Sequence, residues 1–391
     1  MISPLRLLEV SFLFALSSCT IRSGVSNVVS NRPYELGAKP LRAEATAFDQ
    51  AGTTTLYLRL NREQLLYTRG TPSSPFTSEF SVSIDTLNFN ATDTLETDSP
   101  QWIDVELNFA SSNTKRLLNV ELTDLNRNIS EMLYVEPKDY LVWDIENDKS
   151  IDPSNAEIGS TLMIYSPGVE AWEVYLAHPP TSLPPPPFSG SRNPLDTVIA
   201  RPFSISDGSW VVREGCQFFY NNKTERSFIV NGRRPDFPKS INVEDLLECT
   251  RYIATRDEYS QIIKADHPKL ALDEFWLECG GSRDKARKLI EIYYDRVEEA
   301  NTFFSGMQEG WRTDRGMIHI VMGVPDKVRR DKWNEVWVYG DEDNPNCVIF
   351  VFNHREHRLD DNIYVLDRSA MYRNTWDRVV TSWRNGRVQG D

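Results

Sequence analysis

At Asn242 the hydrophobic period of this chain switches from two to 3.6, which divides its 391 residues into a strand-built part and a part that begins with helices. Before the switch, residues 53–60 set Leu56, Leu58 and Leu60 on one face against Thr55, Tyr57 and Arg59 on the other, and 80–84 and 103–109 repeat the alternation. Each such strand is half-buried, and turn-rich intervals at 71–75 and 97–100 separate them. With 117–122 and 132–135 continuing the series, an antiparallel sandwich is the expected fold of residues 40–139. Strand candidates at 140–145, 162–165, 172–176, 198–205 and 228–230 predict a second β-domain over 140–238. The expected class is therefore multidomain: two all-β domains of the immunoglobulin-like sandwich type, then an α+β domain. A content of 40% hydrophobic residues suffices for cores of this number.

Within the second β-domain, Pro179-Pro180-Thr181-Ser182-Leu183-Pro184-Pro185-Pro186-Pro187 has almost no backbone donors and must run extended, in polyproline style. Two readings fit it: a stiff exposed connection, or a ligand for a partner's aromatic groove. Asn231-Gly232 reads as a turn at the domain boundary. Beyond it, Asn242 and Asp245 form a capping pair before Leu246 and Leu247, Pro268 opens a helix through Leu272, Phe275 and Trp276 that stops at Gly280, and Ser282 caps the longest helix. That helix carries Ala286, Leu289, Ile290, Tyr293, Val297, Ala300 and Phe304 as one apolar stripe, with Lys285, Lys288, Glu291, Arg296 and Glu299 expected in water. Apolar runs at 317–322, 336–339, 348–352 and 362–366 predict strands and 375–383 a closing helix, so 240–391 reads as helices followed by a small antiparallel sheet.

The N-terminus has the pattern of a targeting segment. Arg6 supplies a weak positive region, 10–16 an apolar core too short to span a bilayer, and Leu16-Ser17-Ser18 small residues before Cys19. Leu-Ser-Ser-Cys resembles the lipobox of bacterial lipoproteins, which implies cleavage of residues 1–18 and a lipid on Cys19. Residues 19–39, rich in Ser, Asn, Val and Gly, read as a flexible tether. Thr20-Ile21-Arg22-Ser23 lacks the acidic cluster of many surface-exported lipoproteins, which favours the periplasmic leaflet of the outer membrane. A net charge of −14, with 20 basic and 28 acidic side chains in 20–240 and 22 and 28 in 241–391, excludes a basic domain and argues against a nucleic-acid partner. Cys216, Cys249, Cys279 and Cys347 have no zinc-like spacing; disulfides and buried thiols are both open for them.

The densest stretch is Gly310-Trp311-Arg312-Thr313-Asp314-Arg315-Gly316, followed by Gly323-Val324-Pro325-Asp326 and Glu335-Val336-Trp337-Val338-Tyr339. With Asp273-Glu274-Phe275-Trp276 and Arg296, Ala300-Asn301 and Phe303-Phe304 upstream, these blocks resemble the GWxTD domain over about 240–355. The resemblance implies an exported or lipidated protein of Bacteroidota or related bacteria with β-rich regions before the domain, and it brings no established activity. Physically, Gly310 and Gly316 permit tight turns, Trp311 offers a large apolar surface, and Thr313 and Asp314 can bind backbone groups or Arg315 or Arg296. The motif residues Gly310, Trp311, Thr313, Asp314, Arg315, Gly316, Gly323, Pro325, Asp326, Glu335, Trp337 and Tyr339 are thus either a structural lock or a binding site, in which Asp314, Arg315, Asp326 and Glu335 would converge on a groove.

Catalytic constellations are thin. No P-loop, GxSxG elbow or HExxH occurs, and His354 and His357 with Asp360 or Asp361 read as a solvated turn before a metal site. Trp276, Trp311 and Trp337 are expected in the core; Trp376 and Trp383, with Arg373, Arg378 and Arg384, are open to a partner-binding face. The expectation is a non-enzymatic, periplasm-facing outer-membrane lipoprotein without cofactor or metal. It would meet protein partners in an envelope assembly for protein export or outer-membrane biogenesis. The alternative is a carbohydrate- or peptidoglycan-binding or -hydrolysing envelope protein, in which acids near the motif would act in pairs.

Overall fold

The computed structural model describes residues 34, 41, 43–85, 87–111, 117–168, 171–179, 181–190, 200–203, 205, 208–240, 242–331, 333–357, 360 and 362–388. The signal-peptide and Cys19 expectations, and all of the 19–39 tether except Tyr34, fall outside them.

The alternating residues build a sandwich. Strands β1 (Ala43–Gln50), β2 (Thr53–Asn61), β3 (Phe76–Ile84), β4 (Leu87–Leu95), β5 (Trp102–Ala110), β6 (Leu118–Asp124) and β7 (Ile129–Val135) form two antiparallel sheets, ordered β1-β2-β5 and β4-β3-β6-β7. Leu56, Leu58 and Leu60 of β2 meet Phe80, Val82 and Ile84 of β3 and Val120 and Leu122 of β6 between the sheets. Two strands escape the alternation rule. β1 places Ala43, Ala45 and Ala47 inward, too small to mark a face, and β4 is a largely exposed sheet edge.

The second β unit holds β8 (Leu141–Asp144), β9 (Lys149–Ser150), β10 (Ala156–Glu157), β11 (Thr161–Tyr165), β12 (Glu173–Ala177), β13 (Ala200–Phe203), β14 (Ser209–Val211), β15 (Gly215–Asn221) and β16 (Arg226–Arg233). Its sheets run β14-β11-β8-β9 and β10-β16-β15-β12-β13, with β10 and β16 parallel and the other pairs antiparallel. β15 is buried along nearly its whole length and so shows no period of two. Asn231 and Gly232 lie inside β16, against the expectation of a turn. Gly232 is there because the Arg213 carbonyl approaches so closely that a Cβ would stand 1.9 Å from its oxygen, and the chain turns at 235–238 instead. The two β units touch through Tyr57 on Trp143 and Phe48 on Tyr165, and the link between them is held to β1 by hydrogen bonds of Lys138 with the Asp49 amide and the Ala47 carbonyl.

The third unit contains α1 (Val243–Cys249), α2 (Arg256–Lys264), α3 (Pro268–Gly280), α4 (Arg283–Phe304), α5 (Asp314–Met322), the antiparallel sheet β17 (Lys327–Arg330), β18 (Asn334–Tyr339), β19 (Val348–His354), β20 (Tyr364–Leu366), and α6 (Arg373–Arg384). The side chains of Asn242 and Ser282 cap α1 and α4 as expected, and a Thr255–Glu258 capping box opens α2. Two expectations are overturned here, and one open reading is decided. Residues 317–322 are a helix, α5, and no strand: the run is apolar because the helix is buried on every side, a case in which periodicity does not separate helix from strand. Arg296 is buried, with its guanidinium over the Trp383 ring and donating to the Ile320 carbonyl near the end of α5. Trp376 and Trp383 are core residues, so neither forms a partner-binding face. Among the described residues no helix is long and apolar enough to cross a membrane.

Candidate functional site

The motif is a joint between two helices, not the helix-to-strand turn that the sequence suggests. Gly310–Arg312 is a single 3-10 turn after α4, and Thr313 starts α5: its Oγ1 accepts from the Gly316 amide at 3.0 Å and donates to the Gly310 carbonyl at 2.7 Å. Neither Gly310 nor Gly316 lies at positive φ. Their reason is close approach. A Cβ on Gly310 would stand 1.8 Å from the Ala300 oxygen, and one on Gly316 2.0 Å from the Gly310 oxygen, so both helices press on the turn. Trp311 is fully buried; its amide donates to Asn301, its indole N–H to Glu309 at 3.1 Å, and its carbonyl accepts from the Tyr252 hydroxyl at 2.7 Å. Arg312 stacks on Trp311 and pairs with Glu309 at 2.9 Å, Glu248 at 2.5 Å and Asp245 at 3.3 Å.

The acids do not converge. Asp314 accepts the Leu366 amide at 2.8 Å and both outer nitrogens of Arg368, at 3.0 and 2.5 Å, which ties the first turn of α5 to the end of β20. Asp314 and Arg368 side chains are only 10% and 7% exposed. Arg315 turns the other way, to Glu335 at 3.3 Å and to the carbonyl and side chain of Asn362, with its guanidinium over Tyr364. Glu335, on β18 and fully buried, accepts from Tyr34 and the Trp337 indole at 2.6 Å each and from Arg330 at 2.9 Å. Burial opposes its charge, but Arg315 and Arg330 outweigh that and hold its carboxyl below the usual range. Burial, reinforced by Glu335, pushes the Tyr34 phenol upward. Asp326 binds the Gly340 amide at 2.6 Å in the β17–β18 neighbourhood, and Tyr339 donates to the Gly323 carbonyl at 2.8 Å. Gly323 lies at φ +88°, its Cα against Arg296, and ends α5 before Pro325.

Three partners in this site carry no local sequence signal. Arg368 follows a strand and precedes a 3-10 turn, Asn362 sits in a polar stretch, and Arg330 ends a short strand. Tyr34 did have one: a lone aromatic in a segment read as tether. It is buried among Phe303, Phe304 and Trp337.

Elsewhere, His319 on α5 is fully buried and holds Glu299 at 2.8 Å; burial lowers its pKa against the pull of Glu299. The Asp360 carboxylate accepts the Met307 and Asn362 amides, while Asp361 lies outside the described residues. Among the described residues no three of His, Cys, Asp and Glu gather in a ligand set. Cys216, Cys249, Cys279 and Cys347 form no disulfide, and burial pushes the Cys216 and Cys279 thiols up to about 12 and 11.

The proline-rich strand joins this site. Arg368 donates to the Pro185 carbonyl at 3.0 Å, Arg312 to the Thr181 carbonyl at 3.3 Å, and the Ser369 amide to the Pro187 carbonyl at 3.1 Å. The expected stiff exposed connection is in fact docked on the third unit.

Residues 215–385 match the family model of the GWxTD domain, so the match begins at β15 and takes in β16 together with the helical unit. No curated protein and no solved structure matches the chain.

Proposed function

We propose that this chain, whose residues 215–385 match the GWxTD family model, is a periplasm-facing outer-membrane lipoprotein, anchored at Cys19, and a non-enzymatic component of a cell-envelope assembly that handles protein export or outer-membrane biogenesis. The observation that carries this reading is the state of Asp314. Both of its oxygens are engaged by Arg368 and the Leu366 amide in a nearly closed site, so the most prominent acid of the motif works as a fastener. The anchor rests on Leu16-Ser17-Ser18-Cys19 and the missing acidic cluster after it.

Tyr34 gives the proposal a geometry. An extended chain covers at most ~3.3–3.6 Å per residue, so the step from Cys19 to Tyr34 reaches roughly 50 Å. Since Tyr34 is held in the third unit, an anchored chain keeps the GWxTD unit within that distance of the lipid, beside the membrane and not at the far end of a stack.

The test is affinity purification of the chain from detergent-solubilised envelopes, beside Cys19→Ser. The expected result is a lipid-modified N-terminus by mass spectrometry and a reproducible set of co-purifying envelope proteins. Reproducible recovery of the lipoprotein alone contradicts the assembly role, and an unmodified N-terminus contradicts the anchor.

A second reading, glycan binding, has one observation in its favour. A cleft of about 640 Å³ between the β units and the third unit is lined by Tyr57, Trp102 and Phe237 together with Arg59 and Arg233. Saturable binding of peptidoglycan fragments, abolished by Trp102→Ala, would select it.

A further inference from the structure

The proline-rich strand sits on the third unit as a peptide ligand sits on a receptor. Three of its carbonyls, those of Thr181, Pro185 and Pro187, accept from Arg312, Arg368 and the Ser369 amide. Its two large apolar side chains, Leu183 and Phe188, pack against the core of the GWxTD unit, and Arg373 lies over the Phe188 ring at 4.1 Å. Recognition is thus by carbonyl direction and two apolar anchors. A proline-rich chain, whose prolines carry no N–H, offers this pattern with little conformational entropy to lose.

The receptor side is built independently of the strand. Arg312 is already oriented by Glu248, Glu309 and Asp245, and Arg368 by Asp314, which leaves each guanidinium a spare N–H for a carbonyl. One motif acid, Asp314, and three acids beside the motif, Asp245, Glu248 and Glu309, therefore preorganise the two arginines that grip the strand. Pro187 is buried in the contact, and Pro184, Pro185 and Pro186 are half-buried.

We propose that this face of the GWxTD unit is a docking groove for an extended Leu-Pro-Pro-Pro-Pro-Phe-type segment, closed in cis by residues 181–188 and open to a proline-rich segment of a partner protein when that strand is released. The groove needs no lipid anchor and is tested apart from it. It accounts for a motif that joins a tryptophan turn to guanidinium groups, because the turn holds Arg312 and the helix start holds Arg368 in register.

The test compares the wild-type full chain with a full chain carrying Pro184→Gly, Pro185→Ser, Pro186→Gly and Pro187→Ser, which loosens the cis strand. The probe is a fluorescein-labelled synthetic peptide of residues 181–188, and the readout is anisotropy. The loosened chain is expected to bind the peptide at least tenfold more tightly than the wild type. Arg373→Ala in the loosened chain should weaken binding about two- to fivefold, the scale of one exposed cation–π contact. A peptide with Leu183 and Phe188 replaced by Ser should not bind. A loosened chain that keeps the wild-type near-ultraviolet circular dichroism yet shows no saturable binding overturns the proposal, as does equal binding of the Ser-substituted peptide. If the loosened chain does not fold, Phe188→Ala alone takes its place with the same expected and overturning results.

Discussion

At the scale of residues, the motif is explained by what each group touches. Glycine is required at 310 and 316 by backbone packed within 2.0 Å of where a Cβ would lie, not by turn conformation. Gly310→Ala is expected to destabilise the third unit by on the order of 3 kcal/mol through overpacking, read as a lower midpoint in chemical denaturation followed by tryptophan fluorescence. An unchanged midpoint would mean that the helices can part at no cost. Asp314 and Arg368 form a nearly buried bidentate pair, and breaking such a pair leaves a charge without its partner. Asp314→Asn is expected to cost about 3 kcal/mol, while Arg368→Met with Asp314→Leu should recover most of it, the mark of a fastener whose charge serves only its partner. Glu335 binds Tyr34, Trp337, Arg315 and Arg330 at once, which places a residue 301 positions upstream in the same network.

At the scale of elements, helix α5 is the part around which the third unit closes: α4 lies along it, Arg296 caps its end, and Asp314 ties its start to β20. Its buried imidazole, His319, faces Glu299 and Arg296 and is kept neutral by burial. Since its folded pKa lies below the unfolded value, its contribution to stability is complete above the unfolded pKa and is lost as pH falls toward the folded one. Thermal midpoints of the third unit should therefore fall between about pH 7 and pH 5.5, and His319→Gln should flatten that decline; an equal slope in both proteins would count against a buried neutral imidazole. Much of this level was legible in advance. Alternating apolar residues gave β2, β3, β5 and β6, and polar caps gave α1 and α4, because those elements bury one face only. α5 and β15 are buried all round, and β1 and β4 have small or exposed residues, so no period marks them. The motif was located by its residues, but its partners were not: Arg368, Asn362, Arg330 and Tyr34 reach it through tertiary folding alone.

At the scale of the whole molecule, the third unit gathers the chain. It binds Tyr34 from before the first sandwich, the proline strand from within the second β unit, and, through Met307 and Ile363, shares a small apolar cluster with Cys216 and Phe218 of β15. The family match extends back to residue 215 in keeping with that, because β15, β16 and the link after them pack on the third unit: Arg233 reaches the Gly306 carbonyl, and the Pro238 carbonyl accepts from the Asn301 side-chain amide. The Asp314 joint organises this gathering, since it ties α5 to β20 and holds the Arg368 that grips the proline strand. Hydrogen exchange on the full chain, wild type against Asp314→Asn, tests it most directly. In the variant, the amides of Leu366, which binds Asp314, and Ser369, which binds Pro187, are expected to lose protection together while the strands of the first sandwich keep theirs. Unchanged protection at Leu366 and Ser369 in the variant would contradict it.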